Sequence, residues 1–344
     1  MDLRRWTALV VFALFALASG ELGAALGRPA ARLGLIALPC LWLWRDRPAL
    51  LGATMVAAGI WFRASIAYAG PMTDQIEACQ GAWNGLLAGL NPYGREIVGT
   101  STNNPFPYGP LALVAYIPGV WTEIAAAGLA MAILARHRAW LTLAIFAACP
   151  LAVRGAVMGI NDSLPGLLIL VAMLEARRSA VRGAAWLALA AGVKPYAAAW
   201  LPGIVGLGGV AAVVSFSLVS LAVWSPVILV WGVGAFLRSV QLAQRAQDLA
   251  ASSSMLDIPA LRLLAAPAAA LAMFLRSWQA AVWLGLAAYL IFLFFTSWVS
   301  LGYLLAVFPL AGLVLESLRG EPAGRDGAPT PDGGAVSGAA EASS

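Results

Sequence analysis

Residues Pro195–Leu237 read PYAAAWLPGIVGLGGVAAVVSFSLVSLAVWSPVILVWGVGAFL, a run of 43 residues without a charge. At about 1.5 Å per residue a helix of that length reaches about 60 Å, twice the hydrocarbon thickness of a bilayer, so the run predicts two membrane spans. Ser277–Leu315 repeats the pattern over 39 residues. The rest of the 344-residue chain agrees, with 61% hydrophobic and 11% charged residues and a mean hydropathy of +0.84. A soluble domain has about 45–50% apolar and about 25% charged residues. An ordinary soluble enzyme is excluded, and the sequence reads as an all-α polytopic membrane protein.

Working outward, apolar runs separated by arginines predict spans at 6–26, 31–44, 48–69, 110–134, 139–153, 163–175 and 183–193. Two more fall within 195–232, one at 259–275 and two within 277–315, about twelve transmembrane helices in all. The N-terminus imitates a signal peptide, with Arg4 and Arg5 before an apolar run, but the later spans make a first transmembrane helix the better reading. The net charge of +5 would suggest nucleic acid in a soluble protein. Here the arginines sit in short loops, where they set orientation, and no nucleic-acid partner is expected. With the N-terminus inside, Arg45-Asp46-Arg47, Arg136-His137-Arg138 and the Arg177–Arg182 cluster fall in cytoplasmic loops. Residues 70–108 and the 233–258 loop then lie outside; Arg28 and Arg32 run against the rule. Three cysteines without a CxxC pair give no disulfide framework and no zinc site. Residues 1–318 form one membrane domain, and the Gly-, Pro-, Ala- and Ser-rich 319–344 reads as a disordered cytoplasmic tail.

The longest polar segment carries the informative pattern. From Gln75 to Leu90 the apolar residues Ile76, Cys79, Trp83, Leu86, Leu87 and Leu90 recur at helical spacing, which predicts a helix lying in the outer membrane interface after the third span. Asp74 stands at its start, and Glu77 three residues on fits a capping arrangement. Asp74 is therefore either a helix cap or a functional acid. Gly81, Gly85 and Gly89 recur every four residues, a spacing that allows close packing within the fold. Turns follow at Asn91-Pro92-Tyr93-Gly94 and Phe106-Pro107-Tyr108-Gly109, with tyrosines suited to headgroup level.

An Asp outside a span, an interfacial helix, then Gly89-x-Asn91-Pro92-Tyr93 and Phe106-x-Tyr108-x-Pro110-Leu111 together resemble the GT-C membrane glycosyltransferases. The resemblance is to the family 87 branch, the polyprenyl-phosphate-mannose-dependent mannosyltransferases. Gly159-Ile160-Asn161-Asp162 and the small-residue run ending in Lys194-Pro195 match further segments in the right order, so that it covers about residues 60–205. It implies transfer of a hexose, mannose in that branch, from a polyprenyl-phosphate sugar to an acceptor hydroxyl at the outer face of the cytoplasmic (plasma) membrane, with inversion. It implies no cofactor and no metal, the lipid-linked sugar being a substrate, and a glycolipid or glycan as acceptor. Asp74 matches the family's catalytic aspartate, the general base that takes the acceptor's proton.

The lipid phosphate gains charge as it leaves, so a cation should stand near it. Arg63, Arg154 and Lys194 are the candidates, each read alternatively as a snorkelling side chain. Lys194 is preferred because it matches the family position. Glu77, Tyr93 and Tyr108 join the expected substrate-binding set. Asn161 and Asp162 would hold sugar hydroxyls, or Asp162 would cap the helix from Ser163. Glu123 is expected to pair within the bundle, and His137 falls on the inner side. Arg238 and Arg245 lie on a polar stretch that suits an anionic lipid surface. The competing reading is a polytopic transporter or lipid flippase, for which Glu123, Lys194 and broken helices would serve a substrate pathway. A non-catalytic assembly subunit is a third.

Overall fold

The computed structural model describes residues 3–69, 73–97, 103–249, 259–294 and 301–318. Fifteen α-helices make up nearly all of them, and the one strand-like feature there is an isolated antiparallel bridge between Glu96 and Pro105. Helix α1 spans Leu3–Ala25, and a 3-10 stretch at Pro29–Ile36 leads into the short α2, Ala37–Leu43. Then come α3 (Pro48–Ser65), α4 (Gln75–Leu87), α5 (Pro110–Ala115), α6 (Val120–Arg136), α7 (Trp140–Ala148) and α8 (Pro150–Gly155). The chain continues through α9 (Ser163–Ala176), α10 (Ala180–Val193), α11 (Leu201–Pro226) and α12 (Val233–Leu249), and then α13 (Ala265–Leu275), α14 (Trp278–Phe294) and α15 (Leu301–Leu318).

Proline and glycine explain most boundaries. Pro48, Pro110 and Pro150 open α3, α5 and α8, where a missing N–H costs nothing. These breaks correct several expected spans. The run 110–134 is two helices, split where Gly119 takes φ +67°; Tyr68 and Gln80 press so closely on its Cα that a Cβ has no room. The run 139–153 divides at Cys149, whose extended backbone precedes Pro150. The 31–44 run is a 3-10 stretch followed by the short α2, and 233–258, expected as a loop, contains α12. Within 195–232, where two spans are expected, the helical run is interrupted at Gly209, whose φ of +58° and ψ of −143° are non-helical and join two helical segments across a kink. Of the two expected within 277–315, α14 and α15 are present, and residues 295–300 between them lie outside the described residues, as does the 319–344 tail.

Close helix contact rests on small side chains. A Cβ on Gly183 would sit 2.7 Å from Ala176 Cα, where α10 meets α9, and one on Gly59 would press on Met131 and Ala147. Gly81 and Gly85 of α4 likewise take up Ile97 and Arg95 from the following loop, the packing their spacing predicted. By contrast, α11 buries only Gly203, Ile204 and Ala212, and Leu218, Leu221 and Val210 stand exposed on it. Among the described residues, two helical runs, Leu3–Ala25 and Pro195–Trp231, are long and apolar enough to cross a membrane, and six other apolar helices are shorter. Exposed leucine and valine in that density are what a helix facing lipid would present.

Candidate functional site

The site forms where three breaks in the helices meet: the start of α4, the loop before α9 and the end of α10. The backbone N–H groups of Thr73 and Ile76 donate to the carbonyls of Met158 and Gly159, which fastens the first turn of α4 onto the loop ahead of α9. Asp74 occupies the N-cap position of α4, yet its side chain makes no capping hydrogen bond. Instead its carboxylate accepts from the Asn104 amide. Asp74 thus does not make its part of the expected capping arrangement; Glu77 stands half-buried in the first turn.

Asp162 repeats this behaviour. It occupies the N-cap position of α9 without bonding the helix. Glu123 takes over that work: its carboxylate accepts from the Ser163 N–H at 2.7 Å, the Leu164 N–H at 3.3 Å and the Tyr116 hydroxyl at 2.6 Å. A carboxylate at a helix N-terminus is electrostatically favoured there, whichever helix supplies it. Asp162 is left to face Lys194, whose Nζ lies 2.6 Å from Oδ1, and the Tyr196 hydroxyl donates to the same oxygen at 2.9 Å. Both members of the pair are buried, Asp162 at 0% and Lys194 at 3% exposure. The second oxygen, Oδ2, has no hydrogen-bond partner.

Gln75 links the start of α4 to Lys194 and to the loop before α9. It directly follows Asp74, and its Oε1 lies 3.4 Å from Lys194 Nζ and 3.3 Å from the Asn161 N–H. The Asn161 side chain meets Cys79 Sγ. Burial pushes the Cys79 thiol up to about 12, against the opposing pull of Asn161 and Lys194, so it is an inert packing group rather than a nucleophile. The rings of Tyr108, Tyr196 and Tyr303 surround the Lys194 ammonium at 5.3, 5.7 and 5.0 Å. Tyr108 gets there because Gly109 donates to the Val193 carbonyl and approaches Gly192 so closely that no Cβ would fit. Burial first, and then nearby anions including Asp74 and Asp162, raise the Tyr108 hydroxyl well above its ordinary value, which keeps it a proton-bearing donor.

Lys194, Tyr108, Tyr196, Tyr289 and Tyr303 form one wall of a cavity of about 660 Å³. The remainder is mainly alanine, leucine and phenylalanine from α12, α13 and α14, with Gln244 and Arg262 as further polar members. Its size and apolar lining with a few convergent polar groups are those of a small-molecule or lipid site. Asp74, Glu77, Asn161 and Asp162 are not among the residues that line it.

The other expected site residues lie elsewhere. Arg63 is fully buried and donates to the carbonyls of Gly59, Phe146 and Ala147. Those last two carbonyls belong to the end of α7, freed by the break at Cys149, so Arg63 closes a helix terminus. Arg154 is half-buried near the end of α8 and does not line the cavity. Tyr93 is a packing centre, with its hydroxyl on the Tyr108 carbonyl and its ring against Phe106, Trp231 and Phe236. Arg238 falls on α12 away from the cavity, and His137 lies in the α6–α7 turn. Residues the sequence did not single out complete the arrangement: Gln75, Asn104, Tyr196, Tyr289, Tyr303 and Arg262. Adjacency to Asp74 and Lys194 was a signal for Gln75 and Tyr196, whereas nothing local marks the tyrosines of α14 and α15. Among the described residues no group of three His, Cys, Asp or Glu side chains converges as a metal site would require. Comparison of the chain with protein-family models, curated proteins and solved structures returns no match.

Proposed function

We propose that the protein is a multi-pass membrane glycosyltransferase that moves a hexose, mannose by the resemblance to family 87, from a polyprenyl-phosphate sugar to an acceptor hydroxyl. The observation that carries the reading is the buried Lys194 ammonium on the wall of an apolar cavity, within reach of Gln75, the residue that follows Asp74 in the first turn of α4. The cavity suits the first isoprene units of the donor, with its phosphate at Lys194. An ammonium has three protons; Asp162 and Gln75 engage two, which leaves one for a phosphate oxygen. Asp74 then acts as general base toward the acceptor hydroxyl, with a glycolipid or glycan as acceptor. That chemistry requires the α4 end of the bundle to face the outer side of the membrane, and the arginines of the α6–α7 and α9–α10 turns to face the cytoplasm.

The test uses detergent-purified protein, labelled polyprenyl-phosphate-mannose and a lipid extract of the host. Transfer of label by the wild type should fall about 10²–10⁴-fold in Asp74→Asn, the contribution of a positioned general base. Equal transfer by both proteins removes Asp74 from the mechanism. Helix breaks around a buried ion pair also suit a transporter, for which Asp74→Asn would leave substrate movement unchanged and no labelled product would form.

A further inference from the structure

The Asp162–Lys194 pair has an asymmetry that bears on what the cavity accepts. Lys194 lines the cavity and Asp162 does not. Asp162 Oδ1 carries both hydrogen bonds, from Lys194 and Tyr196, while Oδ2 has none. The empty pair is neutral overall. A phosphate arriving at Lys194 would put a second anion beside one ammonium in a buried, low-dielectric site, where an unbalanced charge is costly.

We propose that the cavity binds the monoanionic phosphate of a lipid phosphodiester together with one proton, the phosphate replacing Asp162 as counter-ion of Lys194 and the proton going to the Asp162 carboxyl group. The site then holds one ammonium and one phosphate, with the same zero net charge as before. The proton comes from solvent, Lys194 stays protonated, and no covalent bond changes. Tyr196 makes the exchange feasible, since its hydroxyl now donates to Asp162 Oδ1 and its oxygen can instead accept from a protonated Asp162. The inference rests on the lipid-phosphate part of the proposed function and not on sugar transfer.

Other ionisable groups face Asp162 from every side. Lys194 ends α10, Tyr196 follows it, and Glu123 comes from α6. Tyr108 and Tyr116 flank α5, while Tyr289 and Tyr303 come from α14 and α15. Cys79 of α4 lies within electrostatic reach of Lys194 and Glu123. The tyrosines already bear their protons in the neutral pH range. Glu123 is a rival proton acceptor, held by Tyr116 and two backbone N–H groups of α9, and Asp74, within electrostatic reach of Tyr108, is another, engaged by Asn104.

The experiment titrates full-length protein in neutral detergent with methyl dodecyl phosphate, a diester whose charge stays fixed across the neutral range, with dodecanol as the uncharged control. Calorimetry in two buffers of different ionisation heat counts the protons taken up and needs no variant. The wild type should bind the diester more tightly than dodecanol, take up close to one proton, and gain about tenfold in affinity per unit fall in pH over part of the range. Asp162→Asn, which keeps the shape and mimics the protonated acid, should bind at least as well with a flat pH profile. Diester binding without proton uptake overturns the proposal, as does an unchanged slope in Asp162→Asn, which would move the proton to a group such as Glu123. A diester that binds no better than dodecanol also overturns it. Proton-coupled binding in a protein that transfers no sugar would sink the glycosyltransferase reading while leaving this one standing.

Discussion

Arg63 and Lys194 are both buried cations in apolar surroundings, and their fates differ. Arg63 bonds only backbone carbonyls and sits inside the packing of α3 against α7. Lys194 pairs with a carboxylate, is ringed by three tyrosines and forms part of a cavity wall. Burial of a charge therefore does not by itself mark a functional centre; the kind of partner does. Backbone carbonyls freed at a helix end are fixed acceptors, so a guanidinium that satisfies them is structural. A carboxylate can exchange its partner or its proton, and the cavity gives a ligand access to the ammonium.

Substitutions at the two positions should separate these roles. Lys194→Met leaves Asp162 buried without its counter-charge and should destabilise the protein by about 3–5 kcal/mol. The double variant Asp162→Asn/Lys194→Met should recover much of that loss in a detergent thermal melt. A double variant no more stable than the single one would mean that the pair is not the dominant interaction of either residue.

Arg63→Met strips charged donors from the end of α7 and should cost about 2–3 kcal/mol. Because the partners are main-chain groups, no second-site carboxylate substitution should restore it. Binding of an alkyl phosphate to the cavity should be unchanged; weaker binding would place Arg63 in the site and erase the contrast.

Gly109→Ala tests how the cavity wall is held. The added Cβ would collide with the Gly192 carbonyl, and relief by local backbone shift should cost about 1–3 kcal/mol. Tyr108 should move from Lys194, so ligand affinity should fall more than stability alone predicts. A variant with normal affinity would show that the Tyr108 ring has no part in it.

The smallest effect is expected at the opposite kind of site, the exposed turn that holds His137. Partial burial, and then Arg136, Arg178 and Arg177, lower its pKa below the ordinary value near 6.5. The folded state thus resists a proton that the unfolded chain accepts. Stability should be undiminished above that ordinary value and should decline as pH falls through the lowered folded one. A melt series in which His137→Gln shows the same decline as wild type would remove His137 as its source.

The local pattern carried a good part of the candidate site. Asp74, Asp162 and Lys194 are rare charges at the edges of apolar runs; Asp162 and Lys194 pair, and Gln75, which follows Asp74, reaches Lys194. The helix α4 follows from its own spacing and the break at Lys194-Pro195 from backbone sterics, whereas the break at Gly119 interrupts what the sequence reads as one span. Other features were not legible. Both aspartates stand at N-cap positions and would serve as caps on local grounds, yet neither side chain does. Glu123 caps α9 from 40 residues away, a substitution that no window of a few residues can reveal. Tyr289 and Tyr303 come from a third of the chain with no distinguishing motif.

What the sequence determined alone is the apolar character of the surface and the element type. A chain this poor in charge cannot cover its apolar surface with polar groups, and proline and glycine decide where its helices stop. Tertiary structure decided which polar side chain meets which. Each buried carboxylate, ammonium or guanidinium must find a partner to offset its desolvation, and several partners are within reach of every helix end. Only the packing of α3 against α7, and of α4, α6, α9 and α10 with one another, chooses among them. That packing commits Arg63 to backbone and Glu123 to a helix end, and leaves Asp162 with Lys194 at the cavity.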